Sequence, residues 1–243
     1  MVILGGQHIT KDFGGLTAVD KVDFKIDRGD IVGLIGPNGA GKTTLLNMIS
    51  GALHPTRGEI LFKGEGISGL KPHLICKKGI ARTFQAVNLF GNSTVFENVL
   101  LASLYGGPEY PGKPALHGEI NRLLAFSGLT HRAHVLTKDL PIAEQKLVEM
   151  TRALATKPEL LLLDEVISGL NPAEIERACT IIGQINQQGI TIIMVEHVMQ
   201  VIMSMCSRII VLNYGAKIAE GTPEEISTNE RVIDIYLGRD PEC

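Results

Sequence analysis

The sequence predicts an α/β fold: a parallel-sheet core, an N-terminal antiparallel β subdomain and a helical insert. Three observations predict it. Leu160–Leu163 and Ile190–Val195 are apolar almost throughout, the pattern of strands buried on both faces in a parallel sheet. The stretch between them, about Pro172 to Gln188, reads as a helix and completes a β–α–β unit. A glycine-rich loop, Gly36–Thr43, stands between an apolar run, Ile31–Ile35, and a segment, Thr44–Ile49, that can continue as a helix.

The remaining elements follow in order. Val22–Ile26 and Glu59–Phe62 read as short strands, and the Phe24/Ile26 alternation with glycines at turns suits an antiparallel sheet. From about Leu89 to Thr156 the pattern turns helical, over Val95–Leu104, Leu116–Ser127 and Ile142–Ala155, with a Pro/Gly-rich linker at Gly106–Pro114. The expected organisation is one domain over 1–243, with a core at about 1–88 and 157–243 and a helical subdomain at about 89–156. Arg208–Asn213 and Ala216–Glu220 flank Tyr214-Gly215 as a hairpin. The tail from Pro223 is expected to be helical and peripheral.

Composition narrows the function classes. The 243 residues are 44% apolar with a mean hydropathy of +0.18, enough for a large buried core. A net charge of −3 lacks the basic excess of a nucleic-acid binder. No stretch approaches the roughly 18 consecutive apolar residues of a membrane span, and Met1–Gly6 lacks the basic start of a signal peptide. The expectation is a cytoplasmic protein that can still dock on a membrane partner. Cys76, Cys179, Cys206 and Cys243 have no metal or redox spacing and read as thiols in a reducing compartment.

Gly36-Pro37-Asn38-Gly39-Ala40-Gly41-Lys42-Thr43 fits G-x-x-x-x-G-K-[ST], in the strand–loop–helix context that a phosphate-binding loop requires. Glycines let the backbone curl and turn amide N–H groups onto phosphate oxygens. The helix opening near Lys42 adds its positive dipole end. Lys42 brings a charge to the β- and γ-phosphates, Thr43 offers a hydroxyl to Mg²⁺, and Thr44 extends the cradle. The alternative is a glycine-rich turn with a chance lysine. Asp164 and Glu165 end the Leu160–Leu163 run. Ligands of open parallel sheets bind beyond the carboxyl ends of strands, so Asp164 can serve Mg²⁺ and Glu165 can polarise a water for attack on the γ-phosphate. Alone, Asp164 would read as a solvated strand cap. His197 ends another apolar strand and reads either as a structural histidine or as a γ-phosphate contact. Gln85, where core gives way to insert, can touch Mg²⁺ or the attacking water; spacing alone does not decide. His131 and His134 have helical spacing, with an exposed non-metal role the expected one.

With these residues in hand, the chain resembles the ATP-binding cassette (ABC) ATPases over its whole length. The resemblance implies a P-loop NTPase fold with a RecA-like parallel-sheet core, the ABC ATPase fold. It makes Gln85 the Q-loop residue, Leu140–Gln145 the signature, Asp164/Glu165 the Walker B pair, Ser168–Asn171 the D-loop and His197 the switch histidine. Phe13 matches the aromatic that stacks on adenine; a buried core aromatic is its other reading. Phe13–Val19, Gly169–Glu174, Val195–His197, Ile218–Ile226 and Arg231–Gly238 resemble the ATPase subunits of branched-chain amino-acid importers. The implied substrate is ATP with Mg²⁺. The implied partners are a second ABC ATPase subunit, two integral membrane permease subunits and, indirectly, an external solute-binding protein, with no nucleic acid. The implied location is peripheral, at the cytoplasmic face of the inner membrane.

The chain departs from the family pattern at its signature. L-S-G-G-Q becomes Leu140-Pro141-Ile142-Ala143-Glu144, followed by Gln145. The serine hydroxyl is gone, and a Cβ at Ala143 can crowd approach to a partner's γ-phosphate. An asymmetric pair is expected, in which this chain's own phosphate loop, Asp164, Glu165 and His197 form the competent site; a signature that works normally is the alternative. Val166 and Val198 also depart and carry no mechanistic weight. The rival readings are an ATP sensor that hydrolyses weakly or not at all, an importer ATPase for another solute, an exporter ATPase, and a soluble cassette of DNA repair or translation. The last is disfavoured by the single cassette, short insert and net negative charge.

Overall fold

The computed structural model describes residues 1–106 and 113–236. Residues 107–112 of the expected linker, Leu237 and Gly238 of the C-terminal segment, and Cys243 lie outside the described residues. The chain forms two compact units, Met1–Pro72 with the chain from Thr191 onward, and His73–Ile190. The first unit opens with β1 (Val2–Phe13), β2 (Leu16–Asp27), β3 (Ile31–Ile35), α1 (Lys42–Ile49), β4 (Arg57–Phe62) and β5 (Glu65–Gly66). Helix α2 (Pro72–Lys78) leads into the second unit, with β6 (Ile80–Arg82), α3 (Val95–Tyr105), α4 (Lys113–Phe126), α5 (Ile142–Leu154), β7 (Leu160–Asp164) and α6 (Pro172–Gln187). The first unit is completed by β8 (Thr191–Val195), α7 (Met199–Met205), β9 (Arg208–Asn213), β10 (Ala216–Gly221), α8 (Pro223–Ser227) and α9 (Glu230–Tyr236).

Two sheets shape the first unit. The antiparallel one runs β2-β1-β4-β5, with Leu4 opposite both Ile26 and Phe62. Along β2, Val22, Phe24 and Ile26 are buried at alternate positions, as a sheet with one apolar face demands. Strand β1 was not predicted, because Gly5-Gly6 and several register shifts break its alternation. Gly6 is needed there: a Cβ would lie 2.3 Å from a ring carbon of Phe24. In the other sheet β3 lies between β8 and β9, parallel to both, and β9 turns back antiparallel into β10. Every residue of β3 and β8 is buried.

In the second unit β6 and β7 are parallel, with Ile80 opposite Leu160, and all of β7 is buried. Helices α3, α4 and α5 pack on one another. Thr94 caps α3 and Asn171 caps α6, each in a capping box with the glutamate three residues on, Glu97 and Glu174. Pro172 occupies the first turn of α6, where a missing N–H costs nothing. The helices read over Val95–Leu104, Ile142–Ala155 and Pro172–Gln188 and the hairpin stand where the pattern puts them, whereas α4 starts at Lys113, inside the expected Gly106–Pro114 linker. The elements that were not predicted besides β1 are short (β5, α2, β6 and α7 have two to seven residues), too short for a period to register. No helix among the described residues is long and apolar enough to cross a membrane.

Candidate nucleotide site

The loop from Gly36 to Gly41 joins β3 to α1, and two close approaches fix its path. At Gly36 a Cβ would lie 2.1 Å from the Leu212 carbonyl oxygen, so no larger residue fits. Gly41 caps α1 at a φ of 98°, and a Cβ there would lie 2.5 Å from the Ala18 carbonyl oxygen. The tip of the β9–β10 hairpin props the loop: the Gly215 N–H donates to the Ala40 carbonyl at 3.2 Å, and the Asp20 N–H donates to the Gly215 carbonyl at 2.9 Å. Lys42 is buried, and its Nζ donates to the Gly36 and Pro37 carbonyls at 2.7 and 2.8 Å. The ammonium therefore sits within the curl of the loop. Ala40 is buried, Pro37 and Thr44 are half-buried, and Asn38, Gly39 and Thr43 are exposed. The first N–H groups of α1 have no partner within the helix. Together they give a cationic, donor-rich concavity suited to phosphate.

Three aromatic or imidazole side chains belong to the same unit. Phe13 is 46% exposed, so the reading of it as a core aromatic does not hold; the Lys11 ammonium lies 5.1 Å from its ring centroid. His197 follows β8 and is exposed. Tyr236, at the end of α9, shares a hydrogen bond with the Gly36 backbone. Burial pushes its pKa up, opposed by that bond. The tail is helical as expected, but it reaches the phosphate loop rather than lying apart from it.

The acidic residues lie in the second unit. Asp164 ends β7 at 1% exposure and pairs with Arg82, itself 5% exposed, at 2.8 Å. The Asp164 N–H donates to the Thr83 hydroxyl at 3.2 Å. The other carboxylate oxygen, Oδ1, is buried with no hydrogen-bond partner among the described residues. Buried acceptors are almost always satisfied, and a hard cation or its water suits this one. Glu165 follows with a φ of 53°, left-handed for a residue with a side chain, at a cost of about 1–3 kcal/mol. Strain of this kind concentrates at functional positions. Its carboxylate accepts a hydrogen bond from Gln85 Nε2 at 2.9 Å. Gln85 and Glu165 are thus brought together, across 80 residues of sequence.

Helix α5 supports this cluster with residues the sequence reading passed over. Lys146 Nζ donates to the Glu165 and Ser168 carbonyls at 3.0 and 2.6 Å. Glu149, buried, accepts from the Phe84 and Asn88 N–H groups, both at 3.4 Å, on either side of Gln85. Burial pushes the Glu149 carboxyl above its ordinary value, opposed by the Asn88 N–H and by Arg152. The signal for these residues was present: Arg82 is a charge in an apolar strand, and Lys146 and Glu149 lie three apart in a helical stretch otherwise apolar at Leu147, Val148 and Met150. Just before them, Pro141 starts α5 without a side-chain cap. Gln145 Nε2 donates to the Leu140 carbonyl at 2.8 Å. Glu144 pairs with Arg132 at 2.9 Å, and His131 Nε2 lies 4.0 Å from its other carboxylate oxygen.

Comparison with known proteins shows the family and the fold. The family model described as ABC transporter matches residues 19–168, and one described as branched-chain amino acid ATP-binding cassette transporter matches residues 216–242. The chain is 38% identical to the high-affinity branched-chain amino acid transport ATP-binding protein BraF of Pseudomonas aeruginosa, over 97% of this chain and 98% of the relative. It is 39% identical to the corresponding protein LivG of Escherichia coli, over 97% and 98%. Among solved structures, a nucleotide-free ATP-binding cassette from an ABC transporter aligns with a TM-score of 0.89 at 29% identity, covering 97% of this chain and 99% of that one. A cassette in its ADP conformation aligns with a TM-score of 0.86 at 30% identity, covering 98% and 99%. The fold is that of an ABC ATPase: a P-loop core with parallel strands, an N-terminal antiparallel sheet and inserted helices. The chain belongs to the ABC transporter family as one of its ATP-binding, ATP-hydrolysing cassettes.

Proposed function

We propose that this chain is the ATPase subunit of an importer for branched-chain amino acids, working peripherally at the cytoplasmic face of the cell membrane. The solute class rests on the likeness to BraF and LivG and on the match over residues 216–242. The observation that carries the catalytic reading is the Gln85–Glu165 hydrogen bond next in sequence to a buried Asp164 with an unmet oxygen.

The residues divide the work as follows. Phe13 stacks on the adenine. Gly36, Pro37, Asn38, Gly39, Ala40, Gly41, Lys42, Thr43 and Thr44 form the phosphate cradle, with main-chain N–H groups binding oxygens and Lys42 neutralising charge. Mg²⁺, when bound, supplies neutralisation of charge on the phosphate oxygens, and Thr43, Gln85 and Asp164 are the residues that would hold it, directly or through water. Glu165 takes the proton of the attacking water. Gln85, bonded to that carboxylate at rest, orients the water or the ion. His197 holds the γ-phosphate end. The working assembly is this chain with a second ABC ATPase subunit, two membrane permease subunits and an external solute-binding protein. Residues 89–156 are the helical subdomain that engages the permeases. Pro141 and Ala143 weaken the signature offered to the partner's nucleotide, so this chain's own site is the dominant one.

Glu165→Gln in the assembled transporter tests the reading. Loss of a general base should lower kcat by roughly 10²–10⁴-fold while ATP still binds. Substantial remaining hydrolysis would mean that the other site does the work.

A further inference from the structure

We propose that Lys146 is a positioning residue for hydrolysis: from the first turns of α5 it clamps the turn that carries Glu165, and so fixes the direction of the Glu165 carboxylate. The inference rests on the reading of Glu165 as the general base. Three observations support it together. Glu165 is held in the left-handed region, at a φ of 53°, which a side-chain-bearing residue keeps only where its surroundings impose it. In the turn that follows, the Ser168 N–H donates to the Glu165 carbonyl at 3.3 Å. Lys146 Nζ reaches both ends of that turn, donating to the Glu165 carbonyl at 3.0 Å and the Ser168 carbonyl at 2.6 Å.

The geometry is specific to an ammonium. Its donors point in several directions from one atom, so a single group can meet two carbonyls that do not face each other. Lys146 is itself buried. Charge-assisted bonds of this kind are the stronger class, and a buried ammonium satisfied by carbonyls does not swing away. The left-handed backbone at Glu165 then has a cause outside its own sequence. Releasing the clamp lets Glu165 relax toward the ordinary helical or extended regions and turns its carboxylate elsewhere. Lys146 is assigned no nucleotide contact in this scheme, so its loss should act on the chemical step and not on binding.

The test uses the full-length chain with the partner subunits it purifies with. Lys146→Met should lower kcat for ATP hydrolysis at least tenfold while KM and the affinity for a fluorescent ATP analogue stay within about twofold. Lys146→Arg, which restores a buried cation with several donors, should recover much of kcat. Where Lys146→Met does not fold, Lys146→Gln decides. Its amide is uncharged and shorter, too short to hold both carbonyls, and it should cost severalfold in kcat at unchanged KM. Wild-type kcat in a folded Met or Gln variant, or a loss that appears in KM and affinity instead, overturns the clamp. Glu165→Gln measured alongside separates the two ideas. If it is inactive while Lys146→Met is fully active, the clamp alone is wrong; if it hydrolyses normally, the role of Glu165 falls and the clamp with it.

Discussion

At the scale of single residues, the Arg82–Asp164 pair is the most demanding feature of the site. Both side chains are almost fully buried and 2.8 Å apart. Removing one partner of such a pair leaves the other as an uncompensated charge, which typically costs 3–5 kcal/mol, more than the net worth of the pair itself. Arg82→Ala should therefore destabilise the fold by about 3–5 kcal/mol, read as a fall in the denaturant midpoint at unchanged slope. Destabilisation below about 1 kcal/mol would mean that water or another cation compensates Asp164. Next to it, Glu165 is strained and half-buried, so two adjacent carboxylates have opposite surroundings: one locked by an arginine, the other held at a strained backbone and met by the amide of Gln85. That separation of environments is what lets neighbouring acids take different roles.

At the scale of elements, α5 organises the acidic cluster of the second unit through Lys146 and Glu149. Glu149 holds the N–H groups of Phe84 and Asn88 and so brackets Gln85. Its burial has a pH signature. Because the folded-state pKa is raised above the ordinary 4.5, the native state binds the proton more tightly than the unfolded chain. Stability from this group is full below about pH 4.5 and is lost as pH rises through the elevated folded value. Glu149→Gln keeps an acceptor for both N–H groups and removes the titration. Urea midpoints measured from about pH 4 to 8 should show the wild type losing ground to the variant as pH rises through that window, then running parallel to it. A difference that does not vary with pH would remove Glu149 as the titrating group. The long elements around this cluster were legible from the sequence, since β3, β7, β8 and the helices α3, α5 and α6 carry their periods openly. The phosphate loop, Asp164 and Glu165 were legible because their spacing is local. What the sequence hid was non-local: β1, blurred by Gly5-Gly6; the Arg82–Asp164 pair, 82 residues apart; and Tyr236, which meets Gly36 from the far end of the chain. No period or motif encodes contacts of that range.

At the scale of the whole molecule, the residues proposed above for nucleotide binding and for hydrolysis fall in both compact units. Phe13, the loop Gly36–Thr44 and His197 belong to the first, Gln85, Asp164 and Glu165 to the second. A ligand that binds only the native state stabilises it by RT ln(1 + [L]/Kd), about 2.7 kcal/mol at a hundredfold excess over Kd. For a chain of this length that is roughly 5–10 °C in Tm. ATP with Mg²⁺ should produce such a shift, and Lys42→Ala should abolish it, because the ammonium held in the loop by the Gly36 and Pro37 carbonyls is the charge that phosphate requires. Hydrogen exchange then tells how far the stabilisation spreads. If both sets of residues serve the same ATP, the amides of 36–49 and those of 164–168 should slow together as nucleotide is added, with one concentration dependence. Protection confined to 36–49 would mean that the loop binds phosphate without the acidic pair, and the assignment of Asp164 and Glu165 to that nucleotide would fail even though ATP binds.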